Sequence, residues 1–173
     1  TKNFSVRFDT LMKQNSDTVI MIFSTHLHVS PISIRRTQDI YYMPVISMPA
    51  VSPSNNSSPG YSIVNYYQTQ ITDISVFYLD LKNATHQSKL ARFSLRDEFR
   101  LPNFTASSLG LYLLFRDIDE YHILKYMRLY SGRLNYSLPQ IMKEMNLKDQ
   151  DLKGLFCASF IIGSSESNIY CNE

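Results

Sequence analysis

Residues 109–132 read LGLYLLFRDIDEYHILKYMRLYSG, and this stretch decides how the rest of the chain is read. Residues 109–115 are an apolar run that suits a buried strand and is too short for a helix. A helix is predicted from Asp117, which lies three residues before Glu120. That spacing suits a capped first turn, whose free N–H groups need acceptors. Ile123, Leu124, Met127 and Tyr130 then fall on one face at helical spacing. Gly132 suits the left-handed residue just past a helix end. A strand feeding a capped amphipathic helix needs a sheet to pack on, and the rest of the chain reads as that sheet.

Downstream, Ser137 opens a second helix, with Gln140 placed to complete a capping box and Pro139 in the first turn, where its missing N–H costs little. Leu138, Ile141, Met142 and Met145 form its apolar face. A further helical turn is expected around residues 148–153. The chain then reads as a hairpin, 155–162 and 168–171, about Gly163-Ser164-Ser165. Paired about Ser164, Cys157 stands opposite Cys171, within reach of a disulfide. The chain has two cysteines. In a secreted protein they would be bonded; in a reducing compartment they would be two small apolar residues on one sheet face.

Upstream, Phe4, Val6 and Phe8 alternate with polar residues, which predicts a half-buried strand. Residues 15–17 turn the chain, and 18–29 read as a second strand that closes a hairpin with the first. Residues 39–48 are extended but interrupted by Pro44, which predicts an edge strand or a bulge. Residues 49–60, PAVSPSNNSSPG, form the strongest loop, with three prolines among Ser and Asn. It is expected to be exposed and to carry either partner contacts or nothing but the connection. Residues 61–81 read as two strands broken near 69–73, or as one long bent strand. Residues 82–87 turn, 91–96 form a strand with one basic face, and 100–108 connect to the opening stretch.

Composition sets the class. With 173 residues, 44% hydrophobic and 18% charged, the chain is long and apolar enough for one domain with a real core. Twelve Tyr and ten Phe suit a β-rich fold. The net charge of +2 is too small to point to nucleic acid by itself. It is unevenly spread: residues 82–133 hold nine basic and five acidic groups, net +4. Lys82, Lys89, Arg92, Arg96, Arg100, Lys125 and Arg128 are therefore the candidate contacts for an anionic surface, against the plainer reading of a solvated, charge-balanced face. No apolar run approaches a membrane span. No signal peptide is recognised, and the first residue is Thr, so either a methionine or a longer leader is expected to have been removed.

Catalytic signals are absent. His26 and His28 share a face if they lie on a strand, but no third metal ligand accompanies them. His86 and His122 are isolated, and Asp117 and Asp119 read as helix-start residues. There is no phosphate loop, nucleophile elbow or Cys-x-x-Cys. No enzyme activity, cofactor, metal or small-molecule substrate is expected. Asn-x-Ser/Thr sequons occur at Asn3, Asn55, Asn56, Asn83, Asn103 and Asn135, against roughly two expected by chance. They support a secreted, N-glycosylated reading, although turns enrich the same residues.

From Glu98 onward the order is EFRLPNF, apolar LGLYLLF, an acidic turn RDIDE, a helix, a second helix containing LPQIMKEM, and the closing segment GLFCASFIIGSSESNIYC. This order resembles the matrix proteins of rhabdoviruses, and KNFSVRFD is similar in pattern to that family's first strand. The likeness covers under half the chain. The Pro-rich budding motif and the basic N-terminal arm of some members are missing, so recruitment of budding machinery and the membrane-attachment arm are not carried over. The resemblance implies a self-associating structural protein of the virion. It would lie in the host cytoplasm and on the inner membrane face, lining the envelope and bridging an anionic membrane surface to the viral nucleocapsid. Physically this asks for a loop or edge that docks on a neighbouring copy, here Pro49, Val51, Pro53, Pro59 and Tyr61, plus the basic set above. The alternative is a secreted or luminal binding domain with one disulfide between Cys157 and Cys171. The fold expected is α+β: a β-dominated single domain over residues 1–173, an antiparallel sheet of about six to eight strands and two principal helices in the C-terminal half.

Overall fold

The computed structural model describes residues 2–26, 28–30, 32–36, 41–53, 57–81, 90–114, 120–148 and 152. Helix α1 (Lys2–Gln14) is followed by strands β1 (Ile22–Ser24), β2 (Ile32–Arg36), β3 (Tyr41–Ser47), β4 (Gly60–Tyr67), β5 (Gln70–Tyr78) and β6 (Ala91–Ser94). Helices α2 (Leu95–Phe99), α3 (Ala106–Leu114), α4 (Glu120–Ser131) and α5 (Leu138–Met145) complete the order. The fold is α+β, with most helices in the C-terminal half. Among the described residues the strands form two three-stranded sheets, β1-β3-β2 and β4-β5-β6, where a single sheet was expected. The first is mixed, because β1 runs parallel to β3; the second is antiparallel throughout.

Two segments read as strands are helices. Residues 4–8 carry a strand alternation, but Phe4, Phe8 and Leu11 also fit a helical repeat. In α1 the rings of Phe4 and Phe8 stack with centroids 6.3 Å apart. Phe8 lies under the Arg35 guanidinium, and Asp9 pairs with the same group. The helix wins because it lays Phe8 and Asp9 together on β2, while Phe4 and Val6 stay exposed as no buried strand face would allow. Residues 109–114 belong to α3, whose start lies earlier. Asn103 Oδ1 accepts hydrogen bonds from the Thr105 N–H and hydroxyl, and Thr105 Oγ1 accepts from the Ser108 N–H at 3.2 Å. This cap adds residues 106–108 to the apolar run and gives it helical length. The predicted start of the next helix at Asp117 lies outside the described residues.

The expected opening hairpin is absent, because residues 18–21 are not strand and β1 pairs with β3 from Val45 onward. Pro44 sits inside β3, the middle strand of its sheet. It pairs with Ile34 of β2, but β1 begins opposite Val45, so at Pro44 the ladder has a strand on one side only. The Met48 N–H donates to Ser24 O of β1, so by the two-residue alternation the Pro44 nitrogen also faces the β1 side, and the missing N–H breaks no inter-strand bond. The two-strand reading of 61–81 holds over 61–78, but the break lies at Gln68 (φ 54°) and Thr69, earlier than expected, and residues 70–73 belong to β5. The strand from Ala91 ends at Ser94, whose side chain accepts from the Asp97 N–H and starts α2, so Arg96 is helical.

The later helices follow the sequence closely. In α5 the Ser137 N–H donates to Gln140 Oε1 at 2.8 Å, completing the capping box with Pro139 in the first turn. Gly132 takes φ 69° just past α4. The buried face of α4 centres on Tyr126, Met127 and Leu129, so it is rotated from the predicted stripe, whose Ile123, Leu124 and Tyr130 are half-buried.

One connected core joins both sheets to the helices. It includes Ile32, Ile34 and Ile46, then Ile74, Val76 and Tyr78, and Leu95, Leu109, Met127, Leu129 and Ile141. Tyr78 ties its layers together. Its hydroxyl donates to the Leu129 carbonyl at 2.7 Å and shares a hydrogen bond with Ser30 Oγ at 2.8 Å. Burial pushes this phenol well above its ordinary pKa, so it stays a neutral donor. Gly60 and Gly132 flank the Tyr78 ring, and a Cβ at either would collide with it.

Candidate functional site

Among the described residues of the loop at 49–60, only some are available to a neighbour. Val51 (81% exposed) and Pro53 stand in solvent, Pro49 is half-buried, and Pro59 is buried. The buried end has a cause. The Ser58 N–H donates to the Ser131 carbonyl at 3.0 Å, the Leu79 N–H to Pro59 O at 2.9 Å, and Ser57 Oγ to His28 O at 3.0 Å. The Gly60 N–H closes the loop on Ala50 O at 2.8 Å. Pro59 is therefore part of the frame, and of the five candidate residues Val51, Pro53 and, beyond the loop, Tyr61 are exposed.

Tyr61 begins the solvent face of the second sheet. Registers Tyr61↔Phe77↔Arg92 and Ile63↔Ser75↔Ser94 place these six residues on one face. The Tyr61 and Phe77 rings stack at 5.1 Å with 13° between planes. Arg92 donates from Nε and Nη2 to Ser75 Oγ at 3.1 and 2.9 Å, and from Nη2 to Asp73 Oδ2 at 3.2 Å. Asp73 also accepts from the Ser75 and Ser94 hydroxyls at 2.7 and 2.9 Å and from the Arg96 N–H at 3.2 Å. Burial alone would raise the Asp73 carboxyl, but the Ser75, Ser94, Arg96 and Ile74 hydrogen bonds outweigh it and hold the pKa below the usual value. The carboxylate thus orients Arg92 and the start of α2, while both guanidinium groups remain at the surface. Arg100, exposed and left-handed (φ 51°), ends the same helix.

The other basic candidates do not join this patch. Lys125 is buried: its ammonium donates to the Glu98 carbonyl at 2.6 Å, pairs with the Glu98 carboxylate at 3.2 Å and sits 4.3 Å from the Tyr121 ring. It ties α4 to α2 and is spent inside the fold. Arg128 Nε donates to the Tyr136 carbonyl at 2.9 Å and holds the α4–α5 connection. Lys82, Lys89, Cys157 and Cys171 lie outside the described residues, as does the terminal hairpin.

One cleft of about 400 Å³ opens where the α1–β1 connection meets the β4–β5 turn and the start of α3. Ile71 and Phe104 form its floor, with Ser16, Gln70 and Asn103 at its polar side. Among the described residues no carboxylate, histidine, lysine or cysteine lines it. His28 (φ 59°) lies beyond the end of β1, so the strand that would align it with His26 does not extend that far. Among the described residues no group of three His, Cys, Asp or Glu could hold a metal, and no helix is long and apolar enough to cross a membrane.

The sequence pointed to Arg92, Arg96, Arg100 and Tyr61 separately. It missed Asp73, Ser75, Phe77 and Ile63, which make them one surface. The available signal was the alternation of Asp73, Ser75 and Phe77 along one strand. Comparison with known proteins finds no family model and no curated protein that matches the chain.

Proposed function

We propose that this chain is a non-enzymatic assembly protein of the viral matrix type, one that self-associates, lies against an anionic membrane surface and bridges it to the nucleocapsid. The observation that carries the reading is the solvent face of β4-β5-β6. Stacked Tyr61 and Phe77 stand beside Arg92, with Arg96 and Arg100 following on α2. Tyrosine rings and guanidinium groups on one face suit a lipid headgroup region, where rings enter the interface and each cation near an anionic surface contributes about 1 kcal/mol. The resemblance of the chain from Glu98 onward to rhabdovirus matrix proteins supports the same reading.

The test is flotation with phosphatidylserine-containing vesicles at low and high salt. Binding should fall with salt and be absent on neutral vesicles. Arg96→Gln with Arg100→Gln should weaken it roughly tenfold or more, while Lys13→Gln with Lys143→Gln, the same change in net charge placed elsewhere, should leave it nearly unchanged. Equal effects of the two pairs, or equal binding to neutral vesicles, would overturn the reading.

The secreted alternative has one observation in its favour: Asn103 and Asn135 are exposed and lie outside helices and strands, as glycan acceptors must. The intact mass of the protein from its natural source separates the two readings. Glycan mass favours secretion, and an unmodified mass removes it.

A further inference from the structure

We propose that two copies of this chain pair β4 against β4 about a twofold axis, joining their three-stranded sheets into one of six strands. The inference rests on the assembly reading above and names the surface that performs it. The described sheets present four edges: β1, β2, β4 and β6. Three are blunted. β1 is three residues long, β2 has five residues and includes Arg35, and β6 has four residues, includes Arg92 and passes directly into α2. Short strands and edge charges are how sheets avoid pairing with strangers.

The fourth edge lacks both devices, although its first residue, Gly60, already donates its N–H to Ala50 O. β4 is eight residues, GYSIVNYY, with no charge and no proline. Tyr61 (43% exposed), Ile63 (45%) and Tyr67 (70%) lie along its solvent face. Its bulge opposite Asn65/Tyr66 leaves Thr72 of β5 as the extra residue, so the β4 edge itself remains regular. Such a strand is a template for another strand, and its chemistry selects a copy of itself. An antiparallel pair about a twofold axis sets no like charges against each other, because there are none. With Val64 on the axis, Tyr61 of one copy faces Tyr67 of the other and Ile63 faces Asn65. An aromatic pair at each end of a seam roughly 24 Å long is a favourable cross-strand arrangement. The interface is isologous and closes as a dimer. It also doubles the Tyr61–Phe77–Arg92 face, giving two basic aromatic patches on one side of a continuous sheet.

The test is light scattering after size exclusion, with hydrogen exchange read along β4. At about 100 μM the chain should be dimeric, and those β4 amides that point away from β5 should slow in exchange as concentration rises. Ile63→Lys, at an exposed position, should shift dimerisation at least tenfold toward monomer with unchanged circular dichroism. An oligomer that persists in Ile63→Lys, with β4 amides exchanging freely, would overturn the edge pairing and leave membrane assembly standing. A chain monomeric both in solution and on vesicles would overturn both.

Discussion

Tyr78→Phe isolates one hydroxyl at the centre of the molecule. The ring is 1% exposed and its oxygen meets the Leu129 carbonyl at 2.7 Å and Ser30 Oγ at 2.8 Å. The variant keeps the ring, its packing against Gly60 and Gly132, and almost all the buried area. What it removes is one partner from each of two groups, one on α4 and one ahead of β2. Leaving a buried acceptor unsatisfied costs about 1–3 kcal/mol, well above the few tenths gained by burying a slightly less polar ring. For a chain of this size each kcal/mol moves Tm by roughly 2–4 °C, so the melting temperature should fall by roughly 2–12 °C. Ser30→Ala removes one of the same bonds, so the double variant should lose less than the sum of the two single losses. Urea titration with matched slopes measures all three. A Tyr78→Phe protein within about 0.5 kcal/mol of wild type, or strict additivity with Ser30→Ala, would refute the claim that this hydroxyl joins sheet to helices.

Other perturbations probe separate parts of the same frame. Gly132→Ala should destabilise the chain by more than the ~1 kcal/mol of a left-handed alanine, because the new Cβ also meets the Tyr78 ring; in a Tyr78→Ala background its extra cost should shrink, as chemical denaturation of the four proteins would reveal. Asp73 has a folded pKa below its free value of 3.8, so its contribution to stability is present above pH 3.8 and is lost as pH falls through the folded value. The stability gap between wild type and Asp73→Asn should therefore be widest near neutrality and close under acid, and a gap constant from pH 7 to about pH 2 would contradict it. Lys125→Met keeps the stem but removes the bonds to Glu98; about 1–3 kcal/mol should be lost, with faster amide exchange in α2, whereas vesicle binding should not change because this cation is inside the fold.

Local signals carried a large part of the structure. Ser137 and Gln140 cap α5, Gly132 ends α4, and 61–78 form a hairpin, because each depends on residues a few positions apart. The local code failed where it supported two periods at once. Phe4, Phe8 and Leu11 match a helix while Phe4, Val6 and Phe8 match a strand. The 109–114 run matched a strand only while the cap at Thr105 went unread. Pro44 was read as the mark of an edge strand or a bulge; it sits in a middle strand that has no β1 partner at that residue, two residues from a bulge at Tyr42.

The candidate site divides in the same way. Composition and order by themselves determined an α+β chain, a net positive middle segment and the two late helices. Only the tertiary structure decided which cations remain at the surface. Register set Arg92 beside Phe77 and Ser75, from nineteen residues beyond Asp73, while packing carried Lys125 into the core against Glu98. It also decided that β4, rather than the loop before it, presents the long uncharged edge. The reason is physical: capping and helical periodicity act over one or two turns, whereas the exposure of a charge or a strand edge depends on what other segments cover, and those segments lie tens of residues away.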